Sequence, residues 1–268
     1  MLIQNEFVDV VGATGVVRCA VARPAAAGAF PLLLCFGDIF GNTKPHLRLM
    51  SRCAGHGYVV VSPEPWARFL PAGTVLDFDN DRQAALDAQA KGDGPAADAD
   101  RRSVIDHFKK QPHTADRVVV GGFCYGGHLA FRAALDHDVK ATVCFYGTGI
   151  HSDRLGGGTV DSLARAPEIR GSLLMVWGRQ DPHIPAPGRA KIHRALDEAG
   201  VRWEPRLYDA DHAFARDIGP RFDPAATDRA CAEALALWGD EPQHRQGLLR
   251  LSAVTDKGRP RKKTGKYQ

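Results

Sequence analysis

The stretch Gly121-Gly122-Phe123-Cys124-Tyr125-Gly126-Gly127-His128, "GGFCYGGH", follows the apolar run Arg117-Val118-Val119-Val120. One cysteine stands between two pairs of glycines, where a buried strand ends and a helix can begin. A strand, then G-x-C-x-G, then a helix is the cysteine form of the nucleophile elbow. The turn must be so tight that the residues two positions away pass too close for side chains, which accounts for Gly122 and Gly126. Cys124 is therefore the candidate nucleophile.

The start of the following helix favours the same chemistry. Its free N–H groups and its dipole stabilise a thiolate and an oxyanion. The N–H of Tyr125, the next residue, is the first candidate oxyanion donor. The alternative interpretation is a glycine-rich turn that carries an incidental cysteine.

A thiolate nucleophile needs a base, and the base needs a group that orients it. Asp181 follows the run Leu173-Leu174-Met175-Val176-Trp177, and His212 follows the next strand-like run, 203–208. The order cysteine, aspartate, histidine is the chain order of the hydrolase triad. His183 is the alternative candidate for the base because it lies beside Asp181. A histidine so near the acid in sequence, however, rarely acts as the base. We expect His128 to point away from the strand ends.

Short apolar runs alternate with helical patterns along the chain. The predicted strands are 15–21, 31–36, 58–62, 117–121, 141–146, 172–177 and 203–208, and the predicted helices are 45–56, 96–110, 127–137, 188–199 and 224–238. Alternation of this kind predicts an α/β fold with a mostly parallel, doubly wound sheet and helices on both faces. Ligands bind beyond the carboxyl ends of such strands. Residues 64–94 interrupt this alternation of strands and helices. We expect them to form a partial cap over the site, with a short helix near 81–89.

Composition limits the class of protein. With 268 residues, 44% hydrophobic and 25% charged, the chain is typical of one globular domain. It has no apolar run as long as a membrane span, and its first residues lack the pattern of a signal peptide, so a cytoplasmic location is predicted. The six cysteines are scattered without a CxxC pair, which argues against a disulfide scaffold or a zinc site. Cys35 and Cys144 lie in strand-like runs and are expected in the core.

The net charge of +4 is unevenly distributed. Residues 243–268 hold eight Lys or Arg and one Asp, about +7, so residues 1–242 carry about −3. The sequence predicts a single domain over 1–242 and a disordered basic tail over 243–268. A solvated tail is favoured over nucleic-acid binding, and no membrane partner is expected. A monomer is favoured.

Four motifs together resemble the dienelactone hydrolases (carboxymethylenebutenolidases) of the α/β-hydrolase superfamily. They are "DIFG" after an early strand, "GFCYGG", "WGRQDPHIP" and "DHAFAR", and the likeness runs from about residue 32 to residue 238. The resemblance implies the α/β-hydrolase fold and a triad of Cys124, His212 and Asp181. It also implies that no metal or organic cofactor is needed.

The resemblance assigns further roles. Asp38 fills the position of the family's acid, commonly Glu, that touches the resting thiol and takes its proton as substrate binds. Aspartate is one methylene shorter, and the alternative is a turn residue that caps the next helix. Ile39 gives the second oxyanion N–H. Arg216 and Arg82 match the two arginines that hold a substrate carboxylate. The aromatic residue that the family has a few positions after the first arginine is absent here.

These observations predict a cysteine-dependent hydrolase that opens carboxylate-bearing enol lactones through an acyl-enzyme. One alternative is a general carboxylesterase or thioesterase acting on uncharged esters, which is favoured if the two arginines form no clamp. The other is a non-enzymatic member that binds a metabolite or, through its tail, a polyanion.

Overall fold

The computed structural model describes residues 1–239, of which Met1–Trp238 form one compact unit. The predicted tail, residues 243–268, lies outside the described residues. Within them the strands are β1 (Ile3–Val11), β2 (Val16–Pro24), β3 (Phe30–Phe36), β4 (Val59–Pro63), β5 (Thr114–Phe123), β6 (Val139–Phe145), β7 (Arg154–Leu155), β8 (Gly158–Thr159), β9 (Ser172–Gly178) and β10 (Trp203–Tyr208).

Helices fill the connections. They are α1 (Lys44–Gly55), α2 (Arg82–Ala90), α3 (Gly94–Lys109), α4 (Tyr125–Ala133), α5 (Ala186–Glu198) and α6 (Pro224–Trp238). Among the helices of residues 1–239, none combines the length and the apolar composition that a membrane span requires.

The main sheet has eight strands in the order β1-β2-β4-β3-β5-β6-β9-β10. The strands from β4 to β10 in that order pair in parallel, and β1 and β2 are antiparallel. The predicted fold class, a mostly parallel α/β sheet, is confirmed. The predicted strands and helices all form, with ends shifted by a few residues.

The strand β1 was missed by the sequence analysis. It pairs with β2 along its whole length, but most of its side chains are exposed, including Phe7 at 58%. An edge strand that buries little needs no apolar alternation, because backbone pairing alone places it. Its sequence therefore lacks the signal that the inner strands carry.

The inner strands form the core because both of their faces are covered. Leu32, Leu33 and Leu34 of β3 are fully buried, and so are the valine runs 59–61 of β4 and 118–120 of β5. Continuous apolar runs of this kind are typical of parallel strands. The carboxyl ends of these strands meet at one edge, and the candidate residues follow the ends of β3, β5, β9 and β10 there.

Residues 64–94 form the predicted excursion, which we call the cap segment, and they include α2. Both carboxylate oxygens of Glu64 accept the N–H of Gly73, at 3.0 and 3.1 Å. At the other end, the side chain of Asp93 accepts the N–H of Ala96 at 2.7 Å and caps α3. Hydrogen bonds thus fix the segment where it leaves and rejoins the sheet-and-helix body.

Candidate active site

The elbow at Cys124 has the backbone that its glycines predict. Cys124 lies between β5 and α4 with φ 58° and ψ −119°, a conformation that side-chain-bearing residues rarely adopt. A Cβ on Gly122 would overlap the carbonyl oxygen of Gly126, and one on Gly126 would overlap that of Gly37. The Cys124 N–H donates to the Phe145 carbonyl at 3.1 Å. The half-buried thiol therefore stands at the carboxyl edge of the sheet, at the start of a helix.

Asp181 and His212 follow the neighbouring strands β9 and β10. His212 Nδ1 lies 2.7 Å from Asp181 Oδ2, and both side chains are buried. The other oxygen, Oδ1, accepts the backbone N–H of His183 at 2.8 Å. A Cβ on Gly178 would overlap the Ala210 carbonyl oxygen, so the two loops approach as closely as glycine allows. The carboxylate is thus placed to fix the tautomer of the imidazole.

Cys124 also acts on His212, so the cysteine and the Asp181 carboxylate both influence the same imidazole. Burial is the largest influence on the pKa of His212 and lowers it. The charge of the Cys124 thiolate, the hydrogen bonds to Asp181 and Cys124, and the charge of Asp181 outweigh burial and raise this pKa to about 10. The buried imidazole of His212 therefore keeps its proton well above neutral pH, next to the candidate nucleophile.

The rival histidine takes another position. The His183 ring is exposed and packs edge-on against the His212 ring, with centroids 4.6 Å apart. Burial and the charge of His212 are the first influences that lower its pKa. Asp181 reaches the backbone of His183 and the ring of His212. His128 is fully buried in α4, where it contacts Thr148 and Ser162, as expected for a packing residue.

Asp38 is half-buried in the loop after β3. Its Oδ1 accepts the N–H of Phe40 at 2.9 Å, and among residues 1–239 its hydrogen bonds include none to Cys124. Burial raises its pKa, and the Phe40 hydrogen bond and the positive charges of Arg216 and His212 oppose the rise. Asp38 thus caps its own turn and not α1, while facing the cations of the site.

The cap segment fastens the loop that carries Asp38. The Ile39 carbonyl accepts Trp66 Nε1–H at 2.7 Å, and the Phe40 carbonyl accepts the Leu76 N–H at 3.0 Å. The hydrogen bonds of residues 1–239 include none donated by the N–H of Ile39 or of Tyr125. In the described structure these two backbone N–H groups are therefore unpaired.

The two arginines differ in setting. Arg216 is half-buried, and its guanidinium carbon lies 3.8 Å from the centroid of the Phe78 ring, which belongs to the cap segment. Its charge acts on Asp38. Arg82 is exposed at the first residue of α2, and its charge is a minor influence on His183. Arg216 is thus near enough to influence Asp38, whereas Arg82 lies exposed on α2.

Other residues of the site were missed by the sequence analysis. Tyr146 follows β6 with φ 38° and packs on His212 with ring centroids 5.1 Å apart. An aromatic residue just after a parallel strand was its only signal. Trp66 and Phe78 reach the site from the cap segment, and no local pattern marks either. No group of three or more His, Cys, Asp or Glu in residues 1–239 is arranged to hold a metal ion.

Comparison with known proteins places this chain in a family. Residues 17–240 match the model of the dienelactone hydrolase family. A Saccharomyces cerevisiae protein with the provisional name carboxymethylenebutenolidase is 34% identical over 241 residues, which cover 85% of this chain and 88% of that protein. The carboxymethylenebutenolidase of Pseudomonas putida is 31% identical over 198 residues, covering 73% and 79%. A crystal structure from Klebsiella pneumoniae, provisionally called a dienelactone hydrolase, covers 90% of this chain and 100% of its own, with a TM-score of 0.81 at 23% identity.

Proposed function

Because this chain belongs to the dienelactone hydrolase family and is a hydrolase of lactones or esters, we propose that it opens enol lactones that bear a carboxylate, through a cysteine acyl-enzyme. The observation that carries the proposal is the chain of side chains Cys124, His212 and Asp181, with the pKa of His212 raised to about 10. A stable thiolate–imidazolium pair is what nucleophilic attack on an activated ester needs.

In the first half of the proposed reaction, the Cys124 thiolate attacks the lactone carbonyl carbon and forms a C–S bond. The N–H groups of Ile39 and Tyr125 hold the oxyanion, an effect worth about 10²–10³ in rate per donor. The bond from the carbonyl carbon to the ring oxygen then breaks. The leaving group is a resonance-stabilised enolate, so protonation by a strong general acid is not required for its departure.

Before the second half, the imidazolium of His212 gives its proton to the released enolate, and the neutral imidazole then acts as the base. Neutral His212 takes a proton from water, and the resulting hydroxide attacks the thioester. The C–S bond breaks, the acid product leaves and the thiolate is restored. Asp181 keeps the imidazole in the tautomer that both steps use. We assign Asp38 as the assisting acid because burial raises its pKa and so favours its holding a proton near the site.

The carboxylate of the substrate would bind Arg216. The name carboxymethylenebutenolidase describes a butenolide ring that carries such a group. Arg216 forms no salt bridge with any residue of 1–239, and its Nε is buried without a hydrogen-bond partner. A half-buried cation whose Nε–H has no hydrogen-bond partner favours an anionic ligand. Arg82, which is exposed on α2, would contribute less.

The test compares initial rates on a carboxylated dienelactone and on a neutral p-nitrophenyl ester. Wild type, Cys124→Ala and Arg216→Ala are assayed together, with Arg229→Ala as control, since Arg229 lies over the Tyr208 ring in another arginine–aromatic pair. We expect a preference for the dienelactone that Cys124→Ala abolishes, Arg216→Ala erases and Arg229→Ala leaves intact. Full activity of Cys124→Ala on either substrate would disprove the mechanism.

A hydrolase of uncharged esters is the second candidate. The observation that favours it is the exposure of Arg82, because without Arg82 the carboxylate would be held by one arginine. Faster turnover of the neutral ester, with no effect of Arg216→Ala, would select it. The non-enzymatic alternative is set aside because the family is one of hydrolases.

A further inference from the structure

The cation of Arg216 is held by an aromatic face and not by an acid. Its guanidinium carbon lies 3.8 Å from the Phe78 ring centroid, well within cation–π distance. Among residues 1–239, Arg216 makes no salt bridge, and its buried Nε has no hydrogen-bond partner. The stack on Phe78 is therefore the contact that sets the plane of this guanidinium in the described structure.

Phe78 is itself held on its other sides. Its ring packs edge-on against the Phe40 ring, with centroids 4.7 Å apart. The turn that carries it is fixed by Asp77, whose Oδ1 accepts the N–H groups of Asp79 and Asn80 at 3.0 and 2.9 Å. Such a turn loses little additional freedom when the ring stacks, so the ring can act as a fixed support.

We propose that Phe78 is a positioning residue for carboxylate recognition: it orients Arg216 by stacking while leaving the charge and the N–H edge of the guanidinium to the substrate. An aspartate or glutamate at this place would also orient the cation, but it would occupy the N–H fork and cancel the charge. A neutral ring uses only the face of the guanidinium. The inference rests on the proposed function, in which Arg216 binds the substrate carboxylate.

The experiment uses two substrates with the same ring, a carboxylated dienelactone and its neutral methyl ester. The variants are Phe78→Leu, which keeps apolar bulk and removes the aromatic face, Phe78→Tyr, which keeps the face, and Arg216→Ala. The matched control is Phe69→Leu, since Phe69 lies in the same cap segment and its ring is 5.3 Å from the Arg68 guanidinium carbon. Thermal unfolding gives the folded fraction, and Phe78→Met replaces the leucine variant if that variant does not fold.

Selectivity is the kcat/KM for the carboxylated dienelactone divided by the kcat/KM for its methyl ester. We expect Phe78→Leu to lower this ratio by about 3- to 30-fold. The change should appear as a higher KM for the carboxylated substrate. Phe78→Tyr should restore the ratio, and Phe69→Leu should not change it. Equal losses on both substrates, or no rescue by tyrosine, would overturn the inference and make Phe78 a packing residue. If Arg216→Ala leaves the ratio unchanged, the carboxylate assignment of the proposed function fails first, and this inference fails with it.

Discussion

His128 and His212 are both enclosed imidazoles, yet their pKa values move in opposite directions. His128 lies in α4, away from the nucleophile, with Nδ1 3.0 Å from the Thr148 carbonyl oxygen and Nε2 2.8 Å from the Ser162 hydroxyl. Burial, aided by the charge of Arg132, lowers its pKa to about 4. His212 has Asp181 and the Cys124 sulfur as partners instead, and its pKa is raised to about 10.

A second buried histidine shows that His128 is not an isolated case. His46 Nε2 lies 2.9 Å from the Ser62 hydroxyl, which in turn donates to Asn42 Oδ1 at 2.7 Å. Burial lowers the pKa of His46 to about 4. Neutral partners leave a buried histidine neutral and structural, whereas anionic partners make it an imidazolium. The charge of the partners, and not the depth of burial, separates the structural region of this molecule from its reactive one.

The largest expected effect comes from neutralising one anionic partner. Asp181→Asn removes the charge and frees the tautomer of His212, so kcat should fall by about 10²–10⁴. Steady-state kinetics on the better of the two substrates measures the loss. Asp211→Asn is the control, because Asp211 accepts the backbone N–H of His212 at 2.6 Å and not its ring. More than a tenth of wild-type kcat in Asp181→Asn would show that the partner's charge is not decisive.

Removing the other anionic partner should lower the pKa of His212. In Cys124→Ala the influence of the cysteine on His212 is lost, and burial then competes with Asp181 alone. An NMR titration of the His212 ring protons should give a pKa clearly below about 10. A raised pKa stabilises the fold fully below about pH 6.5, and that stabilisation is lost as the pH rises towards 10. In the variant this stabilisation should be lost at a lower pH. An unchanged titration of His212 would contradict the assignment of Cys124 as its partner.

The structural histidines should give the opposite dependence on pH. Between pH 6.5 and about 4 the unfolded state binds a proton that folded His128 does not, so the free energy of unfolding falls on acidification. One such group contributes about 1.4 kcal/mol per pH unit in this window. Urea melts at pH 6.5 and pH 5 give the change of the free energy of unfolding with pH. In His128→Gln this slope should be smaller by the equivalent of about one proton. An equal slope in the variant would mean that His128 is not neutral in the folded protein.

The smallest effect is expected at the exposed arginine. Arg82→Ala should lower kcat/KM for the carboxylated substrate less than about threefold, because solvent screens an exposed charge. The loss should vanish at high salt. A loss as large as that of Arg216→Ala would show that Arg82 moves into the site when substrate binds.

Many residues of this site could be predicted from the sequence, because they depend on local backbone geometry. The glycines at 122 and 126 mark Cys124, because only glycine tolerates the carbonyl groups beside them. Asp181 and His212 were found because parallel strands bring their carboxyl ends together. The stack of Arg216 on Phe78 joins residues far apart in the chain, as does the contact of His46 with Ser62. Such pairs depend on packing, which no short stretch of sequence encodes, and β1 was missed because its pairing needs no apolar pattern.

The hydrogen bond from the Leu76 N–H to the Phe40 carbonyl has a consequence for protein engineering. Surface loops are where homologous enzymes tolerate exchange, and residues 64–94 are the natural segment to import from a relative. Here that segment also supports residues 37–41 through Trp66 and Leu76. A chimera that imports residues 64–94 without residues 37–41 would lose the match between the cap segment and the loop that carries Asp38. Libraries built on this scaffold should treat 37–41 and 64–94 as one exchangeable cassette.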